Sequence, residues 1–203
     1  MPLTQGNSHL TAAIRGATLR RMLRLFTAIS VPWPVVERLK TLQTGIPGAR
    51  WRPEEAFHIT LAFYGEVSEA QADDLAAELA RVRAPGQGGL SEIALKGVGA
   101  FGDTHRSRTL WAGVEPNEAL NVLAGRCRTA AERAGVRMEA RTYKPHLTLA
   151  YLDADADPAR VGSWIGDHNL MSQPGLRIDR FGLYSSTLNA SGSAYALEQD
   201  YPL

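Results

Sequence analysis

The stretch Phe57-His58-Ile59-Thr60-Leu61-Ala62-Phe63-Tyr64 recurs in altered form as Pro145-His146-Leu147-Thr148-Leu149-Ala150-Tyr151-Leu152, and this repeat decides how the chain is read. Both copies run His, aliphatic, Thr, Leu, Ala, aromatic. β-favouring residues dominate each, which predicts two strands, and residues two apart on a strand point the same way. His58 and Thr60 therefore share one face, as do His146 and Thr148, while Ile59, Leu61, Leu147 and Leu149 point to the opposite, core-facing side. The same alternation puts Ala62 and Ala150 next along the polar face, where their small side chains leave room beside the hydroxyls. A strand patterned in this way lines a pocket.

Outward from the first copy, Met22 to Ser30 reads as a strand, and Pro32 and Pro34 open a short amphipathic helix carrying Val35, Val36, Leu39 and Leu42. Met1 to Arg21 is polar, weakly periodic and expected to be a flexible leader or upstream extension, leaving 22–203 as a single two-lobed domain. After Gly65, Ser68 is a good N-cap for a helix over Glu69 to Arg83, with Ala72, Leu75, Ala76, Leu79 and Val82 at helical spacing. Strands are expected over Glu92 to Phe101 and Thr109 to Glu115, joined by a loop Gly102 to Arg108. A second strong helix spans Asn117 to Ala134, and beyond the second copy come a short helix Pro158 to Ile165, a long strand Leu176 to Ser185 and a closing strand Ala194 to Asp200. The order strand, helix, His-Thr strand, helix, strands is thus approximately duplicated. Helices between strands predict α/β packing with helices on the outer faces of sheets. A pseudo-twofold axis relating the halves would set the two His-Thr strands facing each other across a central cleft.

Composition bounds what such a cleft can do. The chain has 203 residues, enough to bury a core, and a net charge of +1 does not suit a protein that coats nucleic acid by charge alone. Any contact with nucleic acid is expected to be short, a terminal nucleotide or two. The single cysteine, Cys127, excludes an internal disulfide and a thiolate metal cage, and the expected home is reducing and cytoplasmic. No apolar run approaches the roughly 20 residues of a membrane-spanning helix, and an internally duplicated site needs no partner subunit, so a monomer is expected.

Two histidines on facing strands have a direct chemical use. Metal-free cleavage of a phosphodiester needs one group to take a proton from the nucleophile and another to give one to the leaving oxygen, and histidine serves either role near neutrality. The two threonine hydroxyls, one beside each imidazole, can donate to non-bridging phosphate oxygens. Phe57, Tyr64 and Tyr143 are candidates for stacking on a base.

The paired motifs His58-Ile59-Thr60-Leu61 and His146-Leu147-Thr148-Leu149 resemble those of the two-histidine phosphoesterase superfamily. Within it, Arg24 to Ile29, Trp51, His58 to Gly65, Gly97 to Phe101, Leu110 to Val114 and Tyr201-Pro202-Leu203 are similar to the RNA 2′,3′-cyclic phosphodiesterases, also labelled 2′-5′ RNA ligases. The resemblance spans Met22 to Leu203. It implies a bilobal α/β (α+β) fold of internally duplicated βαβ-type lobes, with antiparallel-rich sheets lining a central cleft and helices outside. It also implies hydrolysis of a 2′,3′-cyclic phosphate, on an RNA 3′ end or a cyclic nucleotide, to the 2′-phosphate, with neither metal nor cofactor. By analogy His146 is the base that activates water and His58 the acid that protonates the departing 3′ oxygen. Family members often carry an arginine soon after the second motif, where this chain has Tyr151. That departure leaves Tyr151 itself as a substrate-binding candidate, together with Arg141 and Lys144 before the motif and Arg106 and Arg108.

Other chemistries fit less well. Two imidazoles with no carboxylate or cysteine at ligand spacing make a poor metal shell. No Walker-type phosphate loop supports ATP-dependent ligation. The nearest alternatives are the reverse reaction, joining a cyclic end to a 5′ hydroxyl through a 2′-5′ linkage, and a non-catalytic module that binds RNA ends or nucleotides.

Overall fold

A computed structural model of the chain describes residues 22–86, 90–103, 106–189 and 192–203; the expected leader, 1–21, lies outside the described residues. The strands are β1 (Met22–Ser30), β2 (Arg50–Trp51), β3 (His58–Ser68), β4 (Leu90–Asp103), β5 (Arg106–Val114), β6 (His146–Tyr151), β7 (Ser172–Ile178), β8 (Arg180–Asn189) and β9 (Gly192–Pro202). The helices are α1 (Trp33–Lys40), α2 (Glu69–Leu79), α3 (Glu118–Arg133) and α4 (Pro158–His168), with one turn of 3₁₀ helix at Glu54–Ala56. Capping follows the sequence. Ser68 and Gln71 form a reciprocal capping box at the start of α2, and the Asn117 side chain accepts from the Leu120 N–H at the start of α3.

The strands form one sheet in the order β7-β4-β5-β6-β3-β1-β8-β9, with β2 beside β6. Every pairing among the described strands is antiparallel. The βαβ-type units expected from the sequence are therefore antiparallel ones: β1 and β3 flank α1, β5 and β6 flank α3, and each pair lies side by side. The sheet divides into two groups of four, β7-β4-β5-β6 and β3-β1-β8-β9, joined where Ile59 pairs with Leu147. The His-Thr strands are thus neighbours meeting at a seam, and the cleft lies over that seam.

Three expectations change. The run Leu176 to Ser185 is two strands, broken at Asp179: β7 lies at one edge of the sheet against β4 and β8 near the other against β1. Apolar alternation on both sides of the break hid a crossover between halves. The loop Gly102 to Arg108 is mostly strand, because β4 runs to Asp103 and β5 begins at Arg106. Helix α2 stops at Leu79, ahead of Arg83, and the buried Val82 that mimicked another helical turn packs from the following segment.

Ile59, Leu61, Leu147 and Leu149 are at most 2% exposed and share one core with the buried faces of all four helices. Burial of this face, at roughly 25 cal/mol per Å² of apolar surface, holds the helices to the back of the sheet and leaves the histidine face free. On that face the Trp111 indole lies across two glycines. A Cβ on Gly99 would stand 2.3 Å from the Trp111 ring, and one on Gly113 would stand 2.5 Å from the Lys96 carbonyl oxygen. Gly113 is also the residue paired with His146.

Gly113→Ala therefore presses a methyl onto the backbone of β4, which cannot rotate away, and is expected to cost about 1–3 kcal/mol. Gly125→Ala is the matched control in α3, where an added Cβ meets nothing within 4 Å, and it is expected to gain about 0.5–1 kcal/mol. Thermal unfolding of the two variants should move in opposite directions.

Candidate functional site

Both His-Thr strands carry an irregularity at the same place. In β3, Thr27 pairs with Ala62 but Ala28 pairs with Thr60, so Leu61 is an extra residue. In β6, Trp111 pairs with Thr148 but Leu110 with Ala150, so Leu149 is extra. A one-residue bulge reverses the alternation beyond it. Ala62 and Ala150, expected on the polar face, turn into the core at 6% and 0% exposure. The next residues, Phe63 and Tyr151, come out onto the histidine face instead, Phe63 with 49% exposure. Each bulge thus exchanges an alanine for an aromatic ring directly beyond a threonine.

The two imidazoles are held alike. His146 Nδ1 lies 2.7 Å from the Lys144 carbonyl oxygen, two residues back, and His58 bonds the Ala56 carbonyl, also two residues back. A carbonyl can only accept, so Nδ1 of His146 carries the hydrogen and its Nε2 is the nitrogen left for chemistry. His146 stands edge-on to Phe101, with centroids 4.7 Å apart. His58 is enclosed by Phe26 at 5.1 Å, Tyr195 at 5.2 Å and Tyr184 at 6.5 Å.

Sequence reasoning missed one charged residue of this wall. Arg52 is 6% exposed, yet no carboxylate lies within salt-bridge distance among the described residues. Its backbone N–H donates to the Leu149 carbonyl, at the bulge of β6. Its guanidinium lies over the rings of Tyr151 and Tyr195, at 5.3 and 5.2 Å, and donates to the Ser193 carbonyl. A cation therefore stands against Tyr151, supplied by the strand beside it. The available signal was the run Trp51-Arg52-Pro53 leading into the first motif, which parity alone could not place. Burial, then the Arg52 charge and that of His146, hold the His58 imidazole down to about 4 against the opposing pull of the Ala56 carbonyl.

The remaining candidates divide. Thr60 and Thr148 are half-buried on the histidine face. Phe57 and Tyr64, expected to stack on a base, are core residues at 3% exposure, and the Tyr64 hydroxyl is 2.9 Å from Thr27 Oγ1. The bulge at Leu61, which turns Ala62 inward, gives the exposed place to Phe63 and returns Tyr64 to the core. Tyr143 is half-buried, its hydroxyl has no partner among the described residues, and it lines a cleft of about 810 Å³ together with Thr60, Phe63, His146, Arg141 and Lys144. Arg141 and Lys144 are exposed, and Arg141 pairs with Glu139 at 2.7 Å. The side chains of Arg106 and Arg108 lie outside what is described, although both residues fall within β5. No three His, Cys, Asp or Glu side chains cluster at metal-ligand distance among the described residues, and no helix there is long and apolar enough to cross a membrane.

Comparison with known proteins gives a consistent result. The family model for the 2′-5′ RNA ligase superfamily matches residues 30–189. The chain is 32% identical over 190 residues to the RNA 2′,3′-cyclic phosphodiesterase of Thermotoga maritima, covering 85% of this chain and 91% of that protein. A protein of the same name from Geobacillus stearothermophilus is 35% identical over 107 residues, and there the match spans only 33% of the relative's length. Among solved structures, Escherichia coli LigT complexed with 3′-AMP superposes with a TM-score of 0.70 at 27% identity, covering 90% of this chain and 99% of that one. A protein of Thermus thermophilus, TT0787, gives 0.68 at 26% identity, covering 89% and 97%. With the doubled His-x-Thr strands paired at the seam of a duplicated antiparallel sheet, the chain belongs to the 2′-5′ RNA ligase superfamily of two-histidine phosphoesterases, a family of enzymes.

Proposed function

We propose that the chain hydrolyses a 2′,3′-cyclic phosphate, on an RNA 3′ end or a nucleotide, to the 2′-phosphate by acid–base catalysis between His58 and His146. The observation that carries this reading is the pairing of Ile59 with Leu147, which puts the two imidazoles on neighbouring strands of one face. His146 Nε2 takes a proton from water as the water oxygen bonds to phosphorus. The bond from phosphorus to the 3′ oxygen breaks, and His58 gives that oxygen its proton. Thr60 and Thr148 donate hydrogen bonds to the non-bridging oxygens. One proton exchange with solvent then resets the pair. The chain is read as one two-lobed domain over 22–203, acting as a monomer in the cytoplasm.

Electrostatics adds a condition to this scheme. An acid must hold a proton, and His58, held down to about 4 chiefly by burial, is neutral near pH 7. The arriving phosphate supplies the negative charge that Arg52 lacks among its described neighbours. Placed beside Arg52 and His58, it favours the charged imidazole and raises its pKa. Substrate binding and protonation of His58 are therefore coupled. Arg52 both offsets the phosphate charge and keeps His58 uncharged until that charge arrives.

Adenosine 2′,3′-cyclic phosphate incubated with the protein in excess EDTA should yield only the 2′-monophosphate. His58→Ala and His146→Ala should each lose roughly 10²–10⁴-fold in rate, and an active, folded variant would remove that histidine from the scheme. Replacing the 3′ oxygen of the substrate by sulfur provides a leaving group that needs no proton. Turnover of this substrate should return in His58→Ala but not in His146→Ala, and the opposite pattern would exchange the two roles. Binding of adenosine 2′-monophosphate near pH 7 should take up protons, read by calorimetry in buffers of different ionisation enthalpy. Arg52→Met removes a positive charge that disfavours imidazolium, so the lower limb of the pH profile of kcat/KM should move up from about 4, in a variant whose thermal unfolding is checked alongside.

A further inference from the structure

The cleft that holds Thr60 and His146 is larger than a single cyclic nucleotide requires, and it is not symmetric. At about 810 Å³ it runs from the two strands to a rim bearing Arg24, Arg128, Arg137, Arg141 and Lys144. Only Glu66 and Glu139 oppose these five cations along the lining, and Glu139 is joined to Arg141 in a pair whose two side chains are 76% and 81% exposed, where solvent screens the attraction. On a chain of net charge +1, that is a local concentration of positive charge. The aromatic rings brought out by the two bulges differ in the same sense. Tyr151 is walled by the buried Arg52, whereas Phe63 is 49% exposed in the open cleft, with the Arg24 guanidinium 5.1 Å from its centroid. An exposed phenyl ring under a guanidinium among cations offers two planar surfaces to a nucleobase and point charges to the phosphates on either side of it.

We infer that this end of the cleft is a track for single-stranded RNA, with the nucleotide preceding the cyclic end stacked on the Phe63–Arg24 platform and the upstream phosphates against Arg128, Arg137 and Lys144. The preferred substrate is then an oligoribonucleotide, not a free cyclic nucleotide. The short contact expected from net charge gives way to a longer one, because net charge averages away a patch confined to one trough. The inference rests on the proposed phosphodiesterase activity for its orientation, since the track leads from Thr60 and His146.

The test compares adenosine 2′,3′-cyclic phosphate with an oligoadenylate hexamer bearing the same cyclic end. For the wild-type protein, kcat/KM should favour the hexamer at low salt. Two or three phosphate contacts on a single strand imply a log–log salt slope of about −1.4 to −2.1, so the hexamer's advantage should fall roughly seven- to twentyfold between 50 and 200 mM salt. Phe63→Ala should lower the hexamer-to-mononucleotide ratio about fivefold or more, and the double variant Arg128→Ala/Arg137→Ala should flatten the salt slope. Equal kcat/KM for the two substrates at low salt, or a preference that neither variant changes, would overturn the track. Should neither substrate be turned over, the activity reading fails by itself, and the track is then judged by fluorescence anisotropy with a labelled hexamer ending in a 2′-phosphate. Salt-dependent binding weakened in both variants supports it, and binding indifferent to them overturns it.

Discussion

The pairing of Ile59 with Leu147 is the contact on which the arrangement depends. Two four-stranded groups could each bury an apolar face against helices without any relation between their histidines. Joining them edge to edge at the residue between each His and its Thr sets both motifs at one seam, antiparallel, so that each histidine approaches the other strand's threonine end. Helix α3 packs against β3 and β4, one strand from each group, and so spans the junction from behind. Its buried Cys127 and the Thr27–Tyr64 hydroxyl pair lie in this region of the core, where burial pushes the thiol up to about 12 and keeps it inert.

Much of this was legible in the sequence because it rests on short-range pattern. The doubled motif, its parity up to the threonines, the caps Ser68 and Asn117 and the apolar spacing of α3 are all local signals, and they also support the family resemblance. Three things were not legible. The bulges at Leu61 and Leu149 arise because the partner strands are one residue short of matching, which no single strand reveals, and they exchanged Ala62 and Ala150 for Phe63 and Tyr151 on the working face. The break at Asp179 was masked because apolar alternation continues on both sides while the chain crosses from one edge of the sheet towards the other. Arg52 was invisible because its importance comes from burial, and arginine in a polar run reads as surface.

Asymmetry within the duplication gives the two histidines unlike surroundings. His58 is enclosed by three aromatic rings and accompanied by a buried cation, whereas His146 has Phe101 beside it and opens onto the large cleft. An acid and a base must differ in proton affinity at the moment of reaction, and two copies of one motif in identical surroundings would not. On the proposed scheme, divergence of the residues packed around an unchanged pair of motifs supplies that difference.

The threading of the sheet has a consequence for how the protein is made. Strands β1 and β3 are synthesised early, but the two that complete their half, β8 and β9, come after the entire other half has been laid down. Tyr184 and Tyr195, which enclose His58, arrive on those strands, as does the Ser193 carbonyl that receives Arg52. A nascent chain therefore carries His58 with only Phe26 of its three enclosing rings until these late strands dock. The surroundings of His58 are thus completed only when β8 and β9, the last strands in chain order, have docked.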